Sequence, residues 1–389
     1  MTATPPGPSQ RSAVDAFLAM DVLAEANRRE AAGERIIHME VGQPGAPAPR
    51  PVLEAARKVL EHGRLRYTEA LGIEPLRDRI ARHYREAYDI EISSERVVVT
   101  TGSSAAFNLA FLAAFDAGER VALPTPGYPA YRNILAALGL GVVEIETTAK
   151  TRWALTPDML AAEHEKQPLK GVLVASPANP TGTMMQPAAL SDLVKACRQL
   201  GLWFISDEIY HGLVYDGRAE TALRFNDDAI VINSFSKYYC MTGWRIGWMV
   251  VPERLVRPLE RLSQNLYLSV PEISQWAAIA AFDATDELEA VKAGYARNRA
   301  LLLERLPQIG FEDLLPVDGA FYVYADIRRF SNDSVDFARQ MLAEAGVAAT
   351  PGPDFDRERG NRYIRFSFAG TTEDISEGLD RLAAWLTPA

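Results

Sequence analysis

Cysteine, excess positive charge and long apolar runs are all scarce in this 389-residue sequence. Its two cysteines, Cys197 and Cys240, cannot form a disulfide framework or a cysteine-based metal cluster, which favours a reducing, cytoplasmic location. The 41 Lys and Arg residues against 51 Asp and Glu residues give a net charge of −10, which argues against a nucleic-acid partner. The longest apolar run, Trp276–Phe282, is far shorter than the ~18 residues of a membrane span, so no membrane insertion is expected.

Motifs of several common enzyme classes are also missing. The histidines show no pairing at metal-ligand spacing, so no metal site is expected. The Gly139-Leu140-Gly141 sequence lacks the third glycine of a dinucleotide-binding loop, and it precedes a strand pattern instead of a helix. Neither a Gly-x-Ser-x-Gly elbow nor a Walker loop occurs, which removes the signatures of α/β-hydrolases and nucleotide triphosphatases.

Short apolar runs alternate with helical patterns through the middle of the chain. Several of these runs are nearly all apolar, as expected of strands that are buried on both faces of a sheet. The alternation predicts an α/β fold in which helices wrap a mostly parallel sheet. The predicted strands are 96–101, 120–123, 141–146, 171–175, 202–206, 229–234 and 246–251.

The C-terminal part of the chain has a different pattern, with a long helical region followed by strands and helices of an α+β type. We therefore expect a large domain over residues 44–285 and a smaller domain that combines residues 1–43 with 286–389. The elements predicted here are a helical region over 252–306, strands at 320–326 and 362–368, and helices at 334–345 and 373–386.

One lysine stands out. Lys237 follows a buried apolar strand in the sequence NSFSKYYCMTGWRIG. A lone lysine is usually a solvated surface amine, but apolar and aromatic neighbours would desolvate this one, which lowers the pKa of the amine and raises its nucleophilicity. Ser234, Ser236 and Arg245 are suited to hold a dianionic phosphate beside it through charge-assisted hydrogen bonds.

The Lys237 segment resembles the Schiff-base lysine signature of the class I and II aminotransferases, the fold-type I enzymes that use pyridoxal 5′-phosphate (PLP). Cys240 stands where that family has a small residue, a mild departure. Further matches follow in the family's order over about residues 34–386. The resemblance implies that PLP is the cofactor and that Lys237 carries it.

The resemblance also implies roles for residues far from Lys237 in the sequence. Asp207, which would otherwise be interpreted as a helix N-cap, would pair with the pyridine nitrogen and make the ring an electron sink. Tyr210 and Asn179 would share the cofactor's phenolic oxygen, and a cis Asn179–Pro180 bond is implied. Arg365 would grip the substrate α-carboxylate bidentately, helped by Asn179 and the backbone of Gly42.

The remaining matches concern the cofactor's ring and phosphate. Tyr128 resembles the aromatic residue that stacks on the pyridine ring. Tyr67 resembles a tyrosine that reaches the phosphate of the neighbouring subunit, so the resemblance implies a homodimer. A helix N-terminus supplies backbone N–H groups to phosphate. The residues implied to hold the phosphate within the chain are Gly102, Ser103, Ser104, Ser234, Ser236 and Arg245.

These matches imply a PLP-dependent aminotransferase that moves an amino group from an L-amino acid to a 2-oxo acid by ping-pong chemistry, with Lys237 as the general base. Carbon–sulfur β-lyases and other α-carbanion PLP enzymes share the framework and are the alternative. A PLP-sensing transcriptional regulator is disfavoured, because the N-terminal extension is short and not basic. The phosphate loop carries no cation, and Tyr128, Tyr131 and Phe355 indicate aromatic surroundings, so neutral donors are expected over aspartate.

Overall fold

The computed structural model describes residues 6–312 and 314–386. Its strands are β1 (Ile37–His38), β2 (Val97–Thr100), β3 (Arg120–Thr125), β4 (Gly141–Glu146), β5 (Gly171–Ala175), β6 (Trp203–Asp207), β7 (Ile230–Ser234), β8 (Gly247–Val250), β9 (Tyr322–Asp326), β10 (Val347–Ala348), β11 (Thr350–Pro351) and β12 (Tyr363–Ser367). Its helices are α1 (Leu18–Ala31), α2 (Arg50–His62), α3 (Glu74–Tyr88), α4 (Ser103–Ala114), α5 (Pro129–Ala137), α6 (Pro157–Lys166), α7 (Pro187–Gln199), α8 (Glu253–Leu266), α9 (Glu272–Ala281), α10 (Thr285–Ile309), α11 (Ser334–Gln340) and α12 (Thr372–Leu386).

The larger sheet has seven strands in the order β2-β8-β7-β6-β5-β3-β4. The pairs from β7 through β4 are parallel, whereas β8 runs antiparallel to both β2 and β7. Both faces are buried: Val172 and Val174 of β5 pack in the cluster that contains α7, and Leu173 packs in the cluster that contains α4. The predicted α/β fold with a mostly parallel sheet is confirmed.

A second, smaller sheet has the order β11-β12-β9, and its pairs are antiparallel. Beside it, β1 from the N-terminal segment pairs in parallel with β10, so that Ile37 lies opposite Val347. Ile37 and Met39 share a buried cluster with Leu302 of α10 and Leu379 of α12. The N-terminal segment and the C-terminal part of the chain therefore pack together.

Two predicted helical stretches are divided in the structure. The region 252–306 forms three helices. Pro271 stands at the start of α9, where a proline has no N–H to continue α8, and residues 282–284 separate α9 from α10 without a proline. The helix predicted over 334–345 ends at Gln340 and continues as a wider π-type turn. In the described part of the chain, no helix is both long and apolar enough to cross a membrane.

The carboxyl edge of the large sheet gathers several residues singled out above. Asp207 ends β6, and Lys237 lies three residues beyond the end of β7. Tyr128 follows β3 and Asn179 follows β5, on either side of the point where the strand order reverses. Ligands of open α/β sheets bind at such switch points. Arg365 approaches the same place from β12 of the small sheet.

Candidate active site

A cavity of about 240 Å³ lies between the two sheets. It is lined by most of the residues that the sequence predicted for a site. These residues are Gly42, Ser103, Ser104, Tyr128, Asn179, Asp207, Tyr210, Ser236, Lys237, Arg245 and Arg365.

Lys237 lies on the floor of this cavity. Its Nζ donates a hydrogen bond to the Gly42 carbonyl at 2.5 Å and lies 5.8 Å from the centroid of the Phe321 ring. Burial lowers the pKa of the amine to about 8, and the nearby Arg365 guanidinium acts in the same direction. An appreciable fraction of this amine is therefore neutral, and able to attack or accept a proton, in a mildly alkaline solution.

Asp207 is buried and faces the same cavity. One carboxylate oxygen accepts a hydrogen bond from the Tyr131 hydroxyl, and the other accepts one from the Ile209 N–H at 3.1 Å. Burial raises the pKa of Asp207 to about 6, and these hydrogen bonds oppose the increase. Asp207 is thus a carboxylate at neutral pH, suited to a cationic N–H. Sequence reasoning placed Tyr131 only in an aromatic surround and missed this bond.

Arg365 forms the opposite wall. Its Nη1 donates to Asn179 Oδ1 at 2.9 Å, and its Nη2 donates to the Glu40 carbonyl and to Thr350 Oγ1, the latter at 3.1 Å. Its buried Nε has no hydrogen-bond partner among the described residues. A guanidinium held in this way, with an unused donor, is suited to a carboxylate.

Aromatic rings support the guanidinium. Its carbon lies 4.3 Å from the centroid of Tyr322 and 4.8 Å from that of Phe355. The Tyr322 hydroxyl is 2.8 Å from the Tyr210 hydroxyl. A Cβ at position 42 would lie only 1.7 Å from the Tyr322 hydroxyl oxygen. Only glycine fits at position 42 while Tyr322 stays in place. Phe355 packs behind Arg365 and does not line the cavity, which corrects the expectation that it surrounds the substrate.

The segment that carries the Glu40 and Gly42 carbonyls is held by an ion-paired histidine. His38 Nδ1 is 2.7 Å from the buried Glu40 carboxylate, and its Nε2 is 3.3 Å from Glu30 of α1. The hydrogen bond to Glu40 is the main cause that raises the pKa of His38 to about 9. His38 is therefore an imidazolium at neutral pH and bridges two carboxylates.

A cradle of donors forms another wall. Ser103 and Ser104 open α4, whose N-terminus has no side-chain cap. Gly102 has a φ of +81°, and a Cβ there would lie 2.7 Å from an Arg245 guanidinium nitrogen. Ser236 lies in the wall as well. Gly102 and Ser234 do not line the cavity: Gly102 backs Arg245, and the Ser234 hydroxyl donates to Ser236 Oγ at 2.9 Å.

The start of α1 covers the cavity. Phe17 makes an edge contact with Tyr128, with ring centroids 5.7 Å apart. Because Phe17 supplies no side-chain cap, the first N–H groups of α1 donate to a distant residue: Leu18 and Ala19 each donate to the Asp354 carboxylate at 3.0 Å. Asp354 thus fixes the helix whose first residues form the outer wall.

Tyr67 is not brought to the cavity of its own chain. Its side chain is 82% exposed in the loop after α2. The Asn179–Pro180 bond is cis, as the resemblance implied.

The residues present fit PLP. Arg245, the open N-terminus of α4 and Ser236 suit a phosphate dianion, and the glycine at 102 leaves room where a Cβ would meet Arg245. Asp207 suits a protonated ring nitrogen, and Lys237 suits an aldehyde. Elsewhere in residues 6–312 and 314–386, no cluster of His, Cys, Asp and Glu side chains is arranged to hold a metal ion.

Comparison with known proteins gives a consistent result. Residues 34–382 match the family described as aminotransferase class I and II. The chain is 50% identical over 381 residues to a valine–pyruvate aminotransferase of Mycobacterium tuberculosis, with 97% of each chain covered. A solved aminotransferase from Mycobacterium tuberculosis has a TM-score of 0.96 at 48% identity, covering 98% of this chain and 99% of that one. The aspartate aminotransferase of Thermus thermophilus solved with maleate has a TM-score of 0.92 at 31% identity, covering 98% and 100%.

Proposed function

The chain belongs to the class I and II aminotransferases, which are PLP-dependent, and from this premise we propose that it exchanges amino groups between neutral L-amino acids and 2-oxo acids. The sequence left amino transfer and carbon–sulfur lysis open. Because the relative at 50% identity is an aminotransferase, the enzyme is an aminotransferase.

The cation content of the cavity carries the substrate proposal. Among its described lining residues the cations are Lys237, Arg245 and Arg365. Arg245 would serve the phosphate cradle, Lys237 the chemistry and Arg365 the α-carboxylate, so the described lining offers no further cation for a side-chain carboxylate. A buried carboxylate without a partner is costly. The outer wall instead contains Phe17, Ala19 and Met20 of the α1 region, which suits an aliphatic or aromatic side chain.

Lys237 and Asp207 would perform the proton chemistry. When bound, PLP supplies an electron sink for the charge that develops at the substrate Cα. Asp207, as a buried carboxylate, would hold a proton on the ring nitrogen. The amine of Lys237 would remove the proton from Cα and return it in the reverse half-reaction, and its lowered pKa keeps part of it neutral for this task.

Arg365 would orient the substrate. Its unpartnered Nε and a neighbouring Nη can grip the α-carboxylate while Asn179 and Glu40 hold the guanidinium in place. The Tyr210 hydroxyl lies next to that of Tyr322, whose ring packs against the Arg365 guanidinium. Together with Asn179, Tyr210 would donate a hydrogen bond to the phenolic oxygen of the cofactor. The side chains at the start of α1, which form the outer wall of the cavity, would exclude water from it.

A panel of donors tests the substrate proposal. With pyruvate as the acceptor, kcat/KM for valine, alanine and phenylalanine should exceed that for aspartate by at least tenfold, about 1.4 kcal/mol in transition-state binding. Aspartate in the lead by tenfold would contradict it. Oxo acid released without an added acceptor in large excess over the enzyme's active sites would contradict amino transfer, because the first half-reaction yields only one equivalent per site.

A chemical experiment tests the role of Lys237. Borohydride reduction of the yellow holoenzyme should fix the cofactor to the peptide that contains Lys237, which mass spectrometry of a digest identifies. Label on Lys195, which is exposed, would refute the assignment.

We further propose a homodimer, with Tyr67 reaching the phosphate of the neighbouring subunit. Exposed apolar side chains on α2, in the Tyr67 loop and on or beside α8 and α9 support it; the loop is tied to the α8–α9 connection, where Thr68 N–H donates to Ser269 Oγ at 3.3 Å. The exposed side chains are Leu60, Leu65, Tyr67, Leu266, Leu268 and Trp276. Sedimentation should give a dimer, and Tyr67→Phe should raise the Kd for PLP severalfold. A monomer with full PLP affinity would contradict the proposal.

The domain division and the location are also proposals. Packing of β1 against β10 supports a small domain of residues 1–43 with 286–389, beside a large domain of 44–285. Limited proteolysis of the apoenzyme near residues 44 and 285 tests it. Both cysteines are buried and unpaired, which supports a cytoplasmic location that cell fractionation can test.

A further inference from the structure

A second buried carboxyl lies directly behind Asp207. Glu208 is the next residue along the chain, and because successive side chains of an extended segment point to opposite faces, it projects away from the cavity. Its side chain is 1% exposed. The proposed mechanism gives this group no task.

The two oxygens of Glu208 have different surroundings. Oε1 accepts from Ser206 Oγ at 3.1 Å, from Thr221 Oγ1 at 3.0 Å and from the Ala222 N–H at 2.9 Å. Oε2 is buried and has no hydrogen-bond partner among the described residues. His211 Nδ1 lies 3.5 Å from Oε2.

His211 does not supply a positive charge there. Its Nδ1 is 2.8 Å from the Tyr88 hydroxyl, and the ring also hydrogen-bonds to the Ser176 backbone. Because Nδ1 faces the Tyr88 hydroxyl and the bond to the Ser176 backbone favours a protonated ring nitrogen, we assign the ring proton to Nε2, which leaves a lone pair on Nδ1. Burial lowers the pKa of His211 to about 3, so the ring is neutral. An ionised Glu208 would therefore face a lone pair, which is repulsive.

We propose that Glu208 is held as a neutral carboxylic acid and is a positioning residue for Asp207 and Tyr210. As a neutral group it leaves the negative charge of this strand end on Asp207, and its bonds to Thr221 and Ala222 anchor the turn that carries both residues. Burial raises the pKa of Glu208 to about 8, although the three donors to Oε1 favour the ionised form. The inference rests on the proposed role of Asp207.

The other titratable groups around Glu208 agree with this assignment. Asp207 would repel a second negative charge, and burial raises the pKa of both Tyr84 and Tyr88 on α3, so these phenols are neutral. Among the described cations near this cluster, Arg218 lies beyond Tyr88, 5.9 Å from its ring centroid, Arg224 donates to the Tyr88 carbonyl and pairs with Glu220, and Lys292 pairs with Glu289. A separate cavity of about 230 Å³ reaches Tyr88 and His211 and gives the network a route for proton exchange with water.

Infrared spectroscopy of the holoenzyme with ¹³C-labelled glutamate tests the protonation state without an activity assay. At pH 7 we expect a carboxylic-acid C=O band that is missing in Glu208→Gln and disappears with a midpoint near pH 8. Glu373→Gln, which changes an exposed glutamate, should leave the band intact. The absence of such a band at pH 7 would overturn the proposal.

Tyr88→Phe tests the link to His211. Without the phenol, Nδ1 is free to accept the Glu208 proton, which stabilises the neutral acid, so the midpoint should rise by about half a unit or more. An unchanged or lower midpoint would refute this link, and the measurement stands even where Glu208→Gln fails to fold.

Cofactor affinity tests the positioning role. Glu208→Gln, which stays neutral, should keep the Kd for PLP within about threefold, whereas Glu208→Ala, which loses the anchor to Thr221 and Ala222, should raise it at least tenfold. Equal effects of the two variants would refute positioning. Near-normal turnover of Asp207→Asn with the acid band present would refute the role of Asp207 and leave the neutral Glu208 standing.

Discussion

The two walls of the cavity are built in different ways. Asp207 ends β6 and Lys237 follows β7 by three residues, and because these strands pair in parallel, backbone hydrogen bonds set the spacing of the two side chains. Arg365 depends on Asn179, Glu40 and Thr350, which come from three separate segments of the chain. The proposed proton chemistry thus rests on paired strands of one sheet, and the proposed substrate recognition lies where two sheets meet. Changes in the first wall should lower kcat, and changes in the second should mainly raise KM.

The largest effect is expected for Lys237→Ala. It should lower kcat by about 10⁴-fold, since the proposed general base is lost, while PLP should still bind through the phosphate cradle. Single-turnover spectroscopy measures it, with Lys195→Ala, at an exposed lysine, as the control. A variant that keeps more than a hundredth of the wild-type kcat would refute the assignment of the proton chemistry to Lys237.

Asp207→Asn should lower kcat by about 10³-fold, or about 4 kcal/mol, because an amide cannot hold the ring proton as a carboxylate does. The unfolding temperature should stay within a few degrees of the wild type. Asp192→Asn, at an exposed aspartate, is the matched control. A near-normal kcat would show that this carboxylate does not tune the cofactor.

Arg365→Lys should act on the other wall. Lysine keeps the charge but loses the planar fork that bonds Asn179 and Thr350, so kcat/KM should fall about 100-fold, mostly through KM. Steady-state kinetics with the best donor measure the division. A decrease in kcat with an unchanged KM would contradict the proposal that Arg365 acts mainly in substrate binding.

Tyr131→Phe sharpens the comparison through pH. The hydroxyl lowers the pKa of Asp207, so its removal should move the acid limb of kcat/KM to higher pH and cost about tenfold at pH 6. The pH profile of the variant against wild type decides the matter. An unmoved limb would assign that titration to another group.

His38→Gln should have the smallest effect, on stability. The folded-state pKa of His38, about 9, lies above the ordinary 6.5, so its contribution is fully present below about pH 6.5 and is lost as pH rises through about 9. Since His38 is partly exposed, about 1 kcal/mol is expected. The unfolding temperatures of wild type and variant should differ at pH 6 and converge near pH 10. A constant difference would exclude this ion pair as the cause.

Local patterns predicted much of the fold. Strands β4 and β5 have the predicted bounds, because each is a short apolar or β-branched run between breakers. Helix ends were harder to predict: breaks at Pro271 and at residues 282–284 divide a region that hydrophobic periodicity alone treats as continuous.

The candidate site was proposed from a motif and its ordered matches, and the contacts that the sequence did not predict join residues far apart in the chain. Tyr131 meets Asp207 from a helix 76 residues earlier, and Glu40 meets Arg365 across 325 residues. The sequence separation of such residues does not predict that they will be in contact, because the turns and sheets between them determine how close they come in space. Asp207 beside Glu208 was visible in the sequence, but the opposite environments of the two carboxyls were not.

The Asp354 cap on α1 has a consequence for how the protein is made. The Leu18 N–H and its acceptor are 336 residues apart, so at about 5–20 residues per second the ribosome delivers the acceptor on the order of tens of seconds after the helix has been synthesised. Until then α1 lacks its cap and exposes the apolar side of its first turn. During synthesis, the uncapped helix must be kept from non-native contacts. The cavity can close only after Asp354 has been synthesised, so its closure is among the last steps in the formation of the protein.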